Sequence, residues 1–268
     1  MNIFFREFGR GKPFVILHGL YGTSDNWVSI GRTLAEHFRV ILVDQRNHGQ
    51  SFHSPSHTYQ DLSDYLVQFF KLHDLRKANV LGHSMGGKAA MLFASQNPQM
   101  VEKLVVVDIS PGGYGNSTSL TLQRKIHEKI ISSLLALDID TITSRQQADE
   151  VLAKSVADVR IRQFLLKNLQ RDEKGKFYWL LNLDAISANI DALMGSLFSL
   201  NERVSINTPT LFVKGERSPY ITQQHFGLID SIFVNSQIVT IPNAGHWLHA
   251  EQPNQFLEVV TGFLKNEG

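Results

Sequence analysis

Cysteine is absent from all 268 residues, so disulfides, thiolate metal sites and a cysteine nucleophile are excluded. Neither sign of charge is in clear excess, since the chain has 26 Lys and Arg residues and 25 Asp and Glu residues. This balance gives no reason to expect nucleic acid or membrane insertion among the partners. The apolar runs near the start are too short for a signal-peptide core or a membrane span. We therefore expect a cytoplasmic protein.

Short, continuous apolar runs alternate with helix-length segments through the first part of the chain. Strands buried on both faces of a parallel sheet have this unbroken apolar pattern. Their alternation with helices favours an open, mostly parallel sheet covered by helices on both faces, an α/β protein. The predicted strands of this part are PFVILHG (13–19), RVILVDQ (39–45), NVLGHS (79–84) and KLVVVDIS (103–110).

The pattern changes after the segment SPGGYGNS. From there the apolar residues recur at helical spacing, and no convincing strand is present until TPTLFVKG and QIVTIPNAG. The segment QPNQFLEVVTGFLKN then closes the chain as a helix. We predict one α/β core formed by residues 1–111 and 205–268, which is interrupted by a helical insertion at 112–204.

One serine, Ser84, lies between glycines directly after a predicted strand, in GHSMGG (82–87). Ser84 could cap the helix that MGGKAAMLFASQ predicts. Alternatively, the pattern G-x-S-x-G forms a nucleophile elbow, a strained turn that exposes a serine oxygen. The second interpretation predicts a histidine and an acid further along the chain, because a serine hydroxyl is a weak nucleophile until a base removes its proton.

His246 is the strongest candidate for that base among the eleven histidines. It follows the last predicted strand and precedes the last predicted helix, where the chain order Ser, Asp/Glu, His puts the base. His249, three residues later, is the alternative. Four histidines of helix-like segments are expected to be solvated, namely His37, His73, His127 and His225.

Nucleophilic catalysis by Ser84 would also require N–H donors that are in place before an oxyanion develops in the transition state. One donor is expected from Met85, the residue after the nucleophile. The second is expected from Leu20, in the glycine-flanked loop HGLYG (18–22) that follows an early strand. Taken alone, this loop is only a turn.

Four motifs, HGLYG, DQRNHGQS, GHSMGG and NAGHW, occur in the order of the α/β-hydrolase superfamily. With VVVDISP, they most closely resemble the small bacterial esterases of the YbfF type and their ABHD11-like relatives. The resemblance implies an α/β-hydrolase fold with an eight-stranded, mostly parallel sheet and a helical cap. It also implies a Ser-His-Asp serine esterase for short- to medium-chain acyl esters, with acyl-CoA thioesters as a further class. Asn47, where most of the superfamily has glycine, suits this branch.

Two carboxylates compete for the role of the acid. Glu216 is the only one in the turn after FVKG, where most α/β-hydrolases carry it, whereas Asp108 ends KLVVVD one strand earlier. Carboxylates at either strand end would face the same crevice. We favour Asp108, because an uninterrupted buried strand leads to it, aspartate is the usual acid, and the resembled branch has its acid there. The same resemblance implies that Ser218 is an accessory group within the triad.

The remaining patterns imply no cofactor and no metal. His48, His53 and His57 share a loop with Gly, Ser and Pro, without a helical i, i+4 ligand pair, and we expect this loop to be solvated. No dinucleotide fingerprint precedes a helix. Apolar residues of the insertion are the candidates for the pocket lining, namely Phe164, Leu165, Trp179, Leu180 and Phe198.

Other functions stay open on the same residues. A triad of this kind also serves carbon–carbon bond hydrolases, perhydrolases and lyases, which fold-level analogy does not separate. A non-catalytic small-molecule sensor would retain the pocket without turnover. Dehalogenases and epoxide hydrolases are disfavoured, because they carry an aspartate where this chain has Ser84.

Overall fold

The computed structural model describes residues 2–114, 118–198 and 204–266, and the side chains of 118–120 are outside the description. The strands are β1 (Phe5–Phe8), β2 (Pro13–Leu17), β3 (Arg39–Val43), β4 (Ala78–His83), β5 (Val101–Val107), β6 (Leu169–Arg171), β7 (Phe177–Trp179), β8 (Thr210–Gly215) and β9 (Ser236–Ile241). The helices are α1 (Val28–Leu34), α2 (Tyr59–Leu72), α3 (Met85–Gln96), α4 (Thr118–Leu135), α5 (Arg145–Ala153), α6 (Val159–Leu166), α7 (Leu183–Ala188), α8 (Ile190–Met194), α9 (Phe226–Ile232), α10 (Leu248–Glu251) and α11 (Pro253–Lys265). Within these ranges, no helix has both the length and the apolar character needed to cross a membrane.

The main sheet has seven strands in the described chain, in the order β1-β3-β2-β4-β5-β8-β9. β1 runs antiparallel to β3, and every other pairing is parallel. The predicted mostly parallel sheet is confirmed, and the described residues form seven strands of it where eight were expected. The described residues ahead of β1 add no strand, and their carbonyl groups accept hydrogen bonds from the chain after β3. There, Asp44 N–H donates to Phe4 O, and Phe52 N–H donates to Asn2 O, both at 3.0 Å.

Strand β2 illustrates why unbroken apolar runs predict strands covered on both faces. Phe14 and Ile16 pack into the core formed with α1 and α11, whereas Val15 and Leu17 pack into the core formed with α2 and α3. Successive side chains of a strand point to opposite faces, so a strand with helices on both sides needs apolar residues at every position.

Helices α4 to α8 occupy the predicted insertion, together with an antiparallel hairpin of β6 and β7. The expectation that this region contains no strand is wrong. Each strand has only three residues, too few to show alternation in the sequence. The turn between them is held by Asp172, whose carboxylate accepts from the N–H groups of Lys174 and Lys176 at 2.9 and 2.8 Å. Polar turn chemistry, rather than apolar patterning, therefore specifies the hairpin.

The two ends of the insertion meet at Lys88, on α3. Its Nζ donates to Gly112 O at 2.7 Å and to Gly195 O at 2.6 Å. The segments also pair directly, since Tyr114 N–H donates to Met194 O at 2.8 Å. Lys88 is fully buried, and this burial lowers the pKa of its amine to about 7. Lys88 thus binds to the core both the start of the insertion and the segment that follows α8.

Candidate active site

Ser84 lies in the turn between β4, which ends at His83, and α3, which begins at Met85. Its backbone is in a rarely occupied conformation, with φ 53° and ψ −119°, and such strain is retained mainly at functional sites. The turn is also tight, because a Cβ atom at Gly82 would lie 2.1 Å from Gly86 O. The Ser84 side chain makes no capping hydrogen bond with α3. These features favour the nucleophile-elbow interpretation over the helix cap.

Asp108 directly follows β5 and is fully buried, also with a positive φ of 53°. Its Oδ2 lies 2.7 Å from His246 Nδ1 and accepts the hydroxyl of Ser218 as well. Its Oδ1 accepts Gly215 N–H at 3.0 Å. A buried carboxylate is costly unless donors of this kind surround it. With its proton on Nδ1, facing the carboxylate, the neutral ring of His246 has Nε2 free to accept another.

Glu216, the rival acid, is exposed and makes a different contact. Its Oε2 accepts the N–H of Asn243 at 2.8 Å, which joins the turns after β8 and β9. The structure therefore brings Asp108, and not Glu216, to hydrogen-bond distance of His246. The catalytic role of Asp108 stays a prediction.

His246 lies in the loop between β9 and α10, at the expected place in the chain order, with 24% of its side chain exposed. Two other rings approach it, with centroids at 4.1 Å for Tyr220 and 4.6 Å for His83. His83 Nε2 also lies 2.9 Å from His246 O. In the tautomer with the proton on Nε2, His83 donates a hydrogen bond that joins the elbow to the loop of His246. The alternative base, His249, is buried and stacks on Trp27 with centroids 4.1 Å apart.

Two residues were expected to donate to the oxyanion. Leu20 lines the cavity described below, and Met85 is the first residue of α3. The first N–H groups of a helix have no acceptor within it, and the helix dipole favours negative charge at that end. In the loop of Leu20, Tyr21 N–H donates to His48 Nε2 at 3.3 Å, and Gly22 N–H donates to a neighbouring carbonyl. The two amides that follow Leu20 therefore help to fix the conformation of this loop.

The expectation of solvated side chains is wrong for His127, His225, His48 and His57. His48 and His57 are fully buried, and His225 nearly so, whereas His127 lines the cavity described below. Burial lowers the pKa of His48 to about 3 and that of His127 to about 4. A neutral imidazole packs like an aromatic ring, and the rings of His48 and His57 lie 5.3 Å apart. In the part of the chain that the structure describes, no group of three or more His, Asp or Glu side chains is arranged to hold a metal ion.

A cavity of about 390 Å³ is lined by both the core and the insertion. Ser84, His246 and Leu20 contribute from the core. Most of the contribution from the insertion is apolar and comes from two helices. Helix α4 provides Ile126, His127 and Ile130, and α6 provides Ile161, Phe164 and Leu165.

Two of the five residues expected to line the pocket do so, Phe164 and Leu165. Trp179 and Phe198 pack against or within the hydrophobic core instead, and Leu180 faces a separate surface groove. Apolar spacing does not separate a cavity wall from a core contact, because both exclude water and favour the same residues.

Tyr220 is a cavity residue that sequence reasoning missed. Besides its contact with His246, its hydroxyl lies 3.2 Å from Gln123 Oε1 and 3.3 Å from His127 Nε2, both on α4. The only signal in the sequence is its position two residues after Ser218, in the loop after β8.

Comparison with known proteins decides the family. Residues 12–126 match the family model described as alpha/beta hydrolase fold. The mouse (Mus musculus) protein named sn-1-specific diacylglycerol lipase ABHD11 is 40% identical to this chain, over 93% of this chain and 80% of that protein. The chain belongs to the α/β-hydrolase family.

Within the α/β-hydrolase family, this chain is similar to esterases of different origin. Esterase YbfF of Escherichia coli (strain K12) is 30% identical over 95% of this chain and 94% of that protein. A solved structure of a marine microorganism esterase is 42% identical, with a TM-score of 0.92 over 97% of this chain and 98% of that one. The resemblance read from the motifs is thereby confirmed, and the relatives support an enzyme of the α/β-hydrolase class.

Proposed function

We propose that the protein is a serine carboxylesterase that forms an acyl-enzyme on Ser84. The observation that carries this proposal is that Ser84 and His246 line one cavity while Asp108 Oδ2 lies 2.7 Å from His246 Nδ1. Ester hydrolysis on serine requires a nucleophile, a base and an acid that orients the base. The relatives named as esterase and lipase support the same chemistry.

In the proposed reaction, His246 Nε2 removes the proton of Ser84 as Oγ attacks the carbonyl carbon. The N–H groups of Leu20 and Met85 stabilise the oxyanion of the tetrahedral intermediate. His246 then gives the proton to the leaving alcohol, the carbon–oxygen bond breaks, and the acyl group stays on Ser84. Water attacks the acyl-enzyme as His246 takes one of its protons, and collapse releases the acid and returns the proton to Ser84.

Acyl esters of short to medium chain length are the proposed substrates. The cavity of about 390 Å³ has a size typical of small-molecule sites. Its walls at Ile126, Ile130 and Phe164 favour an apolar acyl group. The name of the mouse relative gives diacylglycerol as the substrate of that protein, and we do not extend it to this chain.

Acyl-CoA thioesters are the second proposed substrate class. Arg160 and Arg217 both line the cavity, and guanidinium groups bind phosphate well. However, Asp158 lies 3.3 Å from Nη2 of Arg160 and competes for it. We therefore expect simple esters to be the better substrates.

We also propose that residues 112–204 form a cap over this site, with residues 1–111 and 205–268 as the core. The cavity residues from α4 and α6 support this assignment. The cytoplasmic location stays a prediction from the sequence.

Labelling by a fluorophosphonate tests the nucleophile. We expect one adduct on Ser84 in the wild-type protein and none in Ser84→Ala, which should fold alike because serine and alanine differ little in volume. Ser63→Ala is the matched control, since this buried serine lies on α2 and is not part of the cavity wall. If the folded wild-type protein takes no label, this result would contradict the proposal that it is a serine esterase and would favour a non-catalytic small-molecule sensor.

A panel of esters and acyl-CoA thioesters of graded chain length tests the substrate class. We expect kcat/KM to rise with chain length until the cavity is filled and then to fall. Equal efficiency at all lengths would contradict a closed apolar pocket. Labelling of Ser84 without hydrolysis of any ester would favour a carbon–carbon bond hydrolase, a perhydrolase or a lyase.

A further inference from the structure

The loop after β8 contacts the proposed acid and the proposed base with neighbouring residues. Ser218 donates its hydroxyl to Asp108 Oδ2, and its own Oγ accepts the N–H of Tyr220 at 3.4 Å. The ring of Tyr220 lies against the imidazole of His246, with centroids 4.1 Å apart and planes inclined by 30°. One short loop, with Pro219 between the two residues, therefore holds both members of the pair.

The other end of Tyr220 contacts the insertion. Its hydroxyl lies 3.2 Å from Gln123 Oε1 and 3.3 Å from His127 Nε2, and both residues are on α4. Burial raises the pKa of the Tyr220 hydroxyl, so the group keeps its proton at neutral pH. A neutral hydroxyl donates one hydrogen bond and accepts others, so it can bind both residues of α4 at once.

We infer that Tyr220 is a positioning residue that fixes the ring of His246 with its own ring and couples it to helix α4 through its hydroxyl. This inference rests on the proposed function of His246 as the base. It assigns two separable tasks to two parts of one side chain, and each part can be removed without the other.

The ring is suited to its task for two physical reasons. It leaves the imidazole little room to rotate about its bond to Cβ, so the contact supports the bond between Nδ1 and Asp108. The face of an aromatic ring also attracts a cation within about 6 Å, and the imidazole becomes a cation when it takes the proton of Ser84. The other titratable side chains near His246 are Asp108, His83, His127 and His249.

The test compares Tyr220→Leu, which removes the ring, with Tyr220→Phe, which removes only the hydroxyl. For Tyr220→Leu we expect kcat to fall about tenfold, since the ring interaction is lost in the transition state. For Tyr220→Phe we expect most of kcat to be retained, while KM rises because α4 is no longer bound to the loop. Tyr178→Leu, an exposed tyrosine on β7, is the matched control and should change neither constant.

A second readout does not depend on turnover. The proton between His246 Nδ1 and Asp108 should give a low-field NMR resonance in the wild-type protein. We expect this resonance in Tyr220→Phe, and its broadening or loss in folded Tyr220→Leu. Retention of both the resonance and kcat in Tyr220→Leu would overturn the role of the ring, and an unchanged KM in Tyr220→Phe would overturn the coupling to α4. A protein with the resonance but no label on Ser84 would contradict the proposed function alone.

Discussion

Oδ2 of Asp108 lies 2.7 Å from Nδ1 of His246, and this contact joins the end of β5 to the loop after β9. Strand β5 is the neighbour of β4, which leads to Ser84. The proposed acid and nucleophile therefore come from adjacent strands of the sheet. The end of β8 and the turn after it supply hydrogen-bond donors to the acid instead, namely Gly215 N–H and the hydroxyl of Ser218.

Asp108→Asn should lower kcat by up to about 10⁴, because an amide no longer holds His246 in the required tautomer or stabilises its charged form. Glu216→Gln is the matched control, since this exposed residue makes only a turn contact. The measurement is kcat for both variants under one set of conditions. A severe loss confined to Glu216→Gln would reverse the assignment of the acid.

His246→Ala should lose several orders of magnitude in kcat and retain only what binding and the oxyanion donors supply, roughly 10³–10⁴ over the reaction in water. His249→Phe keeps a ring stacked on Trp27 and should retain most of the activity. Steady-state kinetics of the two variants checks the choice. Near-normal kcat in His246→Ala together with a large loss in His249→Phe would show that the base is His249.

Lys88→Met should destabilise the protein by about 1–3 kcal/mol, because Gly112 O and Gly195 O lose their donor. We also expect faster hydrogen exchange at Tyr114 N–H, which pairs the two ends of the insertion. Denaturant unfolding and hydrogen exchange measure the two effects. Lys125→Met, at an exposed position of α4, is the control and should show neither. Unchanged exchange at Tyr114 would mean that Lys88 does not hold the ends together.

His57→Leu should make the protein less sensitive to mild acid. Burial lowers the pKa of His57 well below 6.5, and neither ring nitrogen has a hydrogen-bond partner among the described residues. The unfolded chain binds a proton below about pH 6.5 and the folded chain does not, so stability is present above that pH and is lost as the pH falls. One such histidine changes the free energy of unfolding by up to about 1.4 kcal/mol per pH unit.

The measurement for His57 is the free energy of unfolding between pH 7 and pH 5. We expect a shallower loss in His57→Leu than in the wild-type protein. His37→Leu, at an exposed histidine, should keep the wild-type slope. Equal slopes in all three proteins would indicate that His57 takes up its proton at the same pH in the folded and unfolded chains, and would contradict the lowered pKa.

The sheet is the part of the fold that the sequence predicts best. Strand β2 is covered on both faces, so each of its residues is apolar and the run is easily recognised. The hairpin of β6 and β7 is not predicted, because a strand of three residues is too short to show a hydrophobic pattern. The loop of His48 and His57 misleads for another reason. Its polar composition indicates solvent, whereas tertiary packing buries the rings.

The candidate site divides in a similar way. Ser84, Asp108 and His246 each follow a strand, so local motifs and chain order locate them. Tyr220 carries no motif, and its contacts with His246 and with α4 arise only when distant segments pack together. Such long-range contacts are what a single sequence, read locally, does not contain.

The hydrogen bonds of Lys88 mark two positions, Gly112 and Gly195, between which the insertion could be replaced by that of a relative. Because one ammonium group binds Gly112 O and Gly195 O together, the two ends of the intervening chain are held at one point of the core. A relative's insertion grafted between these two residues would keep both carbonyls and their lysine. The elbow of Ser84 and the acid at Asp108 lie outside the exchanged stretch, so substrate selection could be altered by recombination while the chemical groups stay in place.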